Sequence, residues 1–118
     1  MTDVAILMTG GTLDKVHDTY TEGLVFPTDG SSQLGDVLTV GRTDHPRLVP
    51  VLQIDSLDLC DAGRAHILSA VLTAPERAIV ITHGTGTMDK TAMALHGRCC
   101  DKTVVITGAM RPVSLGAS

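Results

Sequence analysis

Four short runs rich in Val, Ile and Leu, at Val4–Met8, Leu48–Ile54, Ala78–Thr82 and Thr103–Thr107, constrain this chain more than any other feature. Continuous apolar runs of that length are the pattern of strands covered on both faces in a parallel sheet. Parallel strands need crossovers, and the segments between the runs carry helical spacing. Asp61 can cap a helix whose apolar face is Ala65, Ile67, Leu68, Val71 and Leu72, closed by Pro75. Met88–Arg98 reads as another, with Ala92, Met93 and Leu95 inward and Gly97 near its end, and Gln33–Val40 as a third. The alternation predicts an α/β fold: an open, mostly parallel sheet with helices on both faces, flavodoxin-like or Rossmann-like, wound by right-handed crossovers. Residues 14–32 fit neither period and read as a long loop, the usual place for a binding element or lid.

With 118 residues, 43% of them apolar, the chain can bury roughly two-thirds of its unfolded surface in one core. A single domain over residues 1–118 is therefore expected. The formal net charge of -4, nine scattered basic residues and only Tyr20 and Phe26 as aromatics argue against nucleic acid as a partner. No apolar stretch approaches membrane-spanning length and no basic leader precedes Val4, so a cytoplasmic protein without membrane contact is expected. The three cysteines, Cys60, Cys99 and Cys100, are odd in number and form no C-x-x-C, which fits reduced thiols. Cys60 falls at a helix start, where a lowered thiol pKa is expected. The five histidines stand apart, and Asp55, Asp58 and Asp61 lack calcium-loop spacing, so no metal or cofactor is expected.

Each strand run empties into a turn of small polar residues. Thr9-Gly10-Gly11-Thr12, Asp55-Ser56-Leu57-Asp58, Thr82-His83-Gly84-Thr85 and Thr107-Gly108-Ala109-Met110 follow the four runs in order. Parallel strands end at one edge, where open α/β sheets hold their ligand crevice. Any one such turn is explained by glycine at positive φ and threonine as a cap; four on one edge point to a site. Glycine admits close backbone approach, N–H groups hold anions or a developing oxyanion, and hydroxyls accept or attack, which suits a small charged molecule. The phosphate loop G-x-x-x-x-G-K-[ST] and the nucleophile elbow G-x-S-x-G are both missing from the sequence. The stretch from Gly84 gives only G-x-G, with Asp89 where a third glycine belongs, and the next strand ends in Thr107 rather than an acid. A nucleotide-binding α/β domain is thus a rival reading on Gly84 and Gly86 alone.

"MTGGTLDK" at 8–15, "DSLDL" at 55–59, "THGTGTMDKTA" at 82–92 and "ITGAMRP" at 106–112 together resemble the bacterial L-asparaginase family, whose motifs run TGGT, DS-x-DM, HGTDTM and GAM-x-P. The match spans almost the whole chain in order and is similar to short members that keep only the N-terminal domain. The resemblance implies hydrolysis of the side-chain amide of L-asparagine, with L-glutamine as the other candidate, to the acid and ammonia without metal or cofactor. It implies Thr12 as the nucleophile that forms an acyl-enzyme, and Thr85 as a second threonine that positions or activates water. Ser56, beside Asp55, would hold the α-carboxylate with N–H groups of the turns at Gly11 and Gly84. The loop group that takes the nucleophile's proton would be His17 or Tyr20. A homo-oligomer, dimer or tetramer, is also implied.

Two departures stand out. Gly86 occupies the place of the family's aspartate, which would bind the substrate's α-ammonium and orient a lysine. That lysine comes from beyond the fourth motif, so residues after Ser118 decide whether it is present; Lys15, Lys90 and Lys102 are not at its position. These departures raise a further rival, a catalytically impaired relative that binds asparagine or aspartate.

Overall fold

The computed structural model describes residues 4–17, 20, 23–27, 32, 34–40, 46–110, 112 and 114. Its centre is a parallel sheet of four strands, β1 (Val4–Gly10), β4 (Arg47–Ile54), β5 (Ala78–Thr82) and β6 (Thr103–Thr107), in the order β4-β1-β5-β6. Helices α1 (Leu34–Val40), α2 (Asp61–Thr73) and α3 (Met88–Leu95) make the crossovers. The α/β fold read from the sequence is the fold observed. Register matters for the site: Met8 pairs with Thr82, and Thr82 with Thr107, so β5 and β6 end level and β1 runs on to Gly10. The pairing of β1 with β4 shifts between Met8 and Gly10 and resumes at Gly10 with Ile54.

Chain order explains where a crevice opens. From β1 the chain moves outward to β4 on one side, then returns past β1 to β5 and β6 on the other. The connections leaving β1 and β5 therefore run to opposite sides of the sheet, and the winding reverses between their C-terminal ends, where open α/β sheets hold their ligands.

Both sheet faces are covered at the centre. Ala5, Leu7, Ile79 and Ile81 form the main core with Leu59, Ile67, Val71, Ala74 and Leu95 from the side of α2 and α3. Ile6 turns to the other face, against Leu34 and Leu38 of α1. The edge strand β6 departs from the expected double coverage: Val104 and Ile106 pack on the main core, while Thr103, Val105 and Thr107 are exposed. No described helix is long and apolar enough to cross a membrane.

The helix faces need correction. In α2 the buried stripe is Arg64, Ile67 and Val71, continued by Ala74, at spacings of three and four, whereas Ala65 is exposed and Leu72 is 46% exposed. Counting apolar residues missed this, because the innermost position of the first turns carries a guanidinium. Asp61 is the first helical residue rather than the cap; Cys60 occupies the N-cap without a side-chain capping bond. Cys60 is exposed, and N–H groups of Gly63 and Ala62 hold its thiol below the usual range. In α3 the buried residues are Thr91 and Leu95; Ala92 and Met93 are exposed, and the helix ends at Leu95, before Arg98. Gly97 at φ 73° and Cys100 at φ 55° then turn the chain toward β6.

Part of the expected loop is ordered pairing: β2 (Val16–His17) and β3 (Leu24–Val25) run antiparallel within it. At the N-terminal edge of the sheet, Glu76 accepts two hydrogen bonds from Arg47, at 2.7 and 2.8 Å, while Lys102 Nζ donates to the carbonyls of Ala74 and Glu76 at 2.5 and 2.6 Å. The Arg47 guanidinium pulls the Glu76 carboxyl down to about 2.

Candidate active site

Three of the turns are locked together by the lack of side chains. Gly11 has φ 84°, and a Cβ built there would lie 2.6 Å from the Gly84 nitrogen, so only glycine allows the turn after β1 to touch the turn after β5. A Cβ at Gly84 would in turn lie 2.6 Å from Ser56 Oγ, in the turn after β4. At Gly108, after β6, a Cβ would collide with the His83 carbonyl. The bareness of these turns is thus a packing requirement shared by four strand ends.

Hydrogen bonds complete the assembly. Gly11 N–H donates to the Ile54 carbonyl at 3.2 Å, and Thr9 Oγ1 donates to the Thr82 carbonyl at 2.6 Å. Ser56 is buried; its Oγ accepts the Gly86 N–H at 3.1 Å, and its carbonyl accepts Thr87 Oγ1 at 2.8 Å. Asp55 caps the short helical turn Ser56–Asp58 by accepting the Leu57 N–H at 3.1 Å. The same carboxylate takes Lys15 Nζ at 2.6 Å, and that ammonium, then the Leu57 N–H, holds the Asp55 carboxyl below its usual range. Lys15 also lies 5.4 Å from the centre of the Phe26 ring, and its carbonyl accepts Ser114 Oγ at 2.9 Å. The loop after β1 is thereby fastened to the turn after β4.

Of the site residues expected from the sequence, Gly11, Thr12, Asp55, Ser56, Gly84, Thr85 and Gly86 gather at this one edge. Thr12 opens a short helical turn (Thr12–Asp14) and is half-buried, its carbonyl accepting the Lys15 N–H at 3.1 Å. Thr85 is exposed and its hydroxyl donates to Met110 Sδ at 3.4 Å. His17 and Tyr20 are not buried beside the threonines: His17 is exposed in β2 and Tyr20 is 97% exposed. The lysines lie elsewhere, Lys15 on Asp55, Lys102 on the Ala74 and Glu76 carbonyls, and Lys90 exposed on α3. Among the described residues no three His, Cys, Asp or Glu side chains are grouped to hold a metal ion.

Sequence reasoning passed over one part of this edge. His83 is 1% exposed, with Nδ1 2.7 Å from the Gly84 carbonyl and Nε2 2.7 Å from Thr91 Oγ1, which also receives Arg64 Nε–H at 3.3 Å. The signal available was a charged residue at the same helical phase as Ile67 and Val71. The whole arrangement offers two accessible hydroxyls, closely packed glycine backbone and a buried serine at one edge of the sheet. Acyl transfer on a small polar molecule uses such groups.

A sequence profile for the family described as Asparaginase, N-terminal, matches residues 3–118. L-asparaginase 2 of Escherichia coli is 33% identical over 93% of the chain, and a component of the glutamyl-tRNA(Gln) amidotransferase of Pyrococcus horikoshii is 30% identical over 92%. The chain spans 33% and 26% of the length of those two relatives. Among solved structures, the probable cytoplasmic L-asparaginase of Campylobacter jejuni superposes on 94% of the chain with a TM-score of 0.70 and 30% identity, the match covering 36% of that protein.

Proposed function

Because this chain belongs to the asparaginase family, matching its N-terminal domain, we propose that it is an L-asparagine amidohydrolase acting through a threonine nucleophile. The observation that carries the reading is the contact of the Gly11 and Gly84 turns at the winding reversal, beside which Thr12 and Thr85 stand. In the proposed reaction Thr12 Oγ1 attacks the side-chain amide carbon while its proton passes to the loop group, His17 or Tyr20. The C–N bond breaks as the amide nitrogen takes that proton back from the loop group and leaves as ammonia, and an ester links Thr12 to the aspartyl group. Water held by Thr85 then attacks the ester, releasing L-aspartate and restoring the hydroxyl. Ser56, Asp55, Gly11, Gly84 and Gly86 bound the pocket for the substrate's α-carboxylate and α-ammonium. Cytoplasmic homo-oligomers are the proposed working form.

Ammonia release from L-asparagine by purified protein tests this reading. The wild type should turn over, and Thr12→Ala should be slower by roughly a thousandfold or more. Equal rates would overturn the threonine mechanism. One observation favours a second reading: Gly86 supplies no carboxylate where the family places one. A relative that binds aspartate without turnover would show calorimetric binding of L-aspartate that survives Thr12→Ala, together with no ammonia from either protein.

A further inference from the structure

We propose that His83 is a positioning residue, wired through Thr91 to Arg64, that aims the Thr85 N–H into the crevice as a donor for the developing oxyanion; this rests on the amidohydrolase reading. The Gly84 carbonyl can only accept, so His83 Nδ1, 2.7 Å away, carries a proton. With the ring neutral, Nε2 is then an acceptor and takes the Thr91 hydroxyl at 2.7 Å. Thr91 is fully buried in α3, and its oxygen is held from the other side by Arg64 Nε–H at 3.3 Å, from α2. Two helices of the main core thus fix the tilt of one imidazole, and the imidazole fixes one peptide plane.

That plane decides where a donor points. The Gly84–Thr85 peptide is trans, so its C=O and N–H face opposite ways. With the carbonyl drawn toward the buried ring, the Thr85 N–H is turned to the exposed side of the turn, and among the described residues no backbone carbonyl accepts it. The neighbouring Gly84 is packed between Gly11 and Ser56, which holds the start of that peptide in place while the bond to His83 sets its plane. A donor aimed in advance at the site of developing charge needs no reorganisation during reaction, and losing one such donor lowers kcat by about 100- to 1000-fold.

Two substitutions separate positioning from simple core filling. His83→Asn carries an amide N–H close to the Nδ1 position and keeps the bond to the Gly84 carbonyl; His83→Gln reaches toward Nε2 and Thr91 and gives it up. The expected result is kcat within about fivefold of wild type for His83→Asn and about a hundredfold lower for His83→Gln, with KM changed little in either. Equal losses in both, following their melting temperatures, would overturn the proposal. Long-range 1H–15N spectra of the histidine ring should show a protonated Nδ1 and an acceptor Nε2, and the opposite tautomer would overturn it regardless of turnover. If the wild type releases no ammonia, the amidohydrolase reading fails instead. In that case titration with L-aspartate tests the clamp alone: a Thr85 amide shift in wild type but not in His83→Gln supports it, and matching behaviour in both overturns it.

Discussion

A side chain at position 86 has somewhere to go. Positive φ occurs at Gly10, Gly11 and Gly97 among the described glycines, not at Gly86, so the backbone there accepts any L-residue. A Cβ would approach Leu57 Cδ2 to 2.8 Å and Ser56 Oγ to 3.1 Å, and Leu57, 74% exposed, is free to swing outward. Gly86→Asp should therefore fold, at a cost of about 1 kcal/mol or less, and place a carboxylate at the crevice rim. One added charge-assisted hydrogen bond is worth about 1.5–3 kcal/mol, so kcat/KM for L-asparagine should rise at least tenfold in steady-state assays. A fall would mean that the carboxylate does not serve the substrate at this position. Glycine, threonine and serine at strand ends announced themselves in the sequence because few other residues suit such turns. His83 did not, since a histidine buried against a carbonyl and one in solvent read alike until the neighbours are known.

Among the elements, the strands were legible to within two residues because both inner strands are apolar on both faces, leaving composition little freedom. Helices α2 and α3 were legible in extent more than in orientation. Arg64 and Thr91 lie innermost, each stabilised by a polar partner on the other helix rather than by hydrophobicity, and no periodicity count can see a hydrogen bond. The hairpin of β2 and β3 was missed because two residues per strand are too few to establish alternation. The turn between α2 and β5 carries its own prediction. Glu76 in the fold titrates at about 2, below the 4.5 of a free glutamate, so its ion pair with Arg47 stabilises fully above pH 4.5 and is lost as pH falls toward 2. Glu76→Gln should lower Tm by about 3–6 °C at pH 7, and the gap from wild type should shrink steadily between pH 4.5 and 2 in thermal melts. A constant gap across that range would assign the loss to packing instead.

At the scale of the molecule, the site depends on pieces distant in sequence being drawn to one edge, and Lys15 is the residue that ties the loop after β1 to the turn after β4. Its partner Asp55 has a lowered pKa, so the tie is present at neutral pH and is released only as acid protonates the carboxylate below the usual range. Lys15→Met should raise KM for L-asparagine several-fold, with a smaller change in kcat, and speed proteolysis within residues 16–27 at pH 7. Unchanged KM and unchanged cleavage would show that the loop is held by its other contacts. The reversal of winding between β1 and β5 has a consequence of another kind. The edge at which the winding reverses is set by the order in which the strands are laid down, and it exists before any hydroxyl or carboxylate furnishes it. Under the proposed function, single substitutions at Thr12, Thr85 or Gly86 should then separate binding of the small molecule from its turnover while the scaffold stays the same. On that reading the place for the ligand belongs to the winding of the sheet, and turnover belongs to a few side chains at its edge.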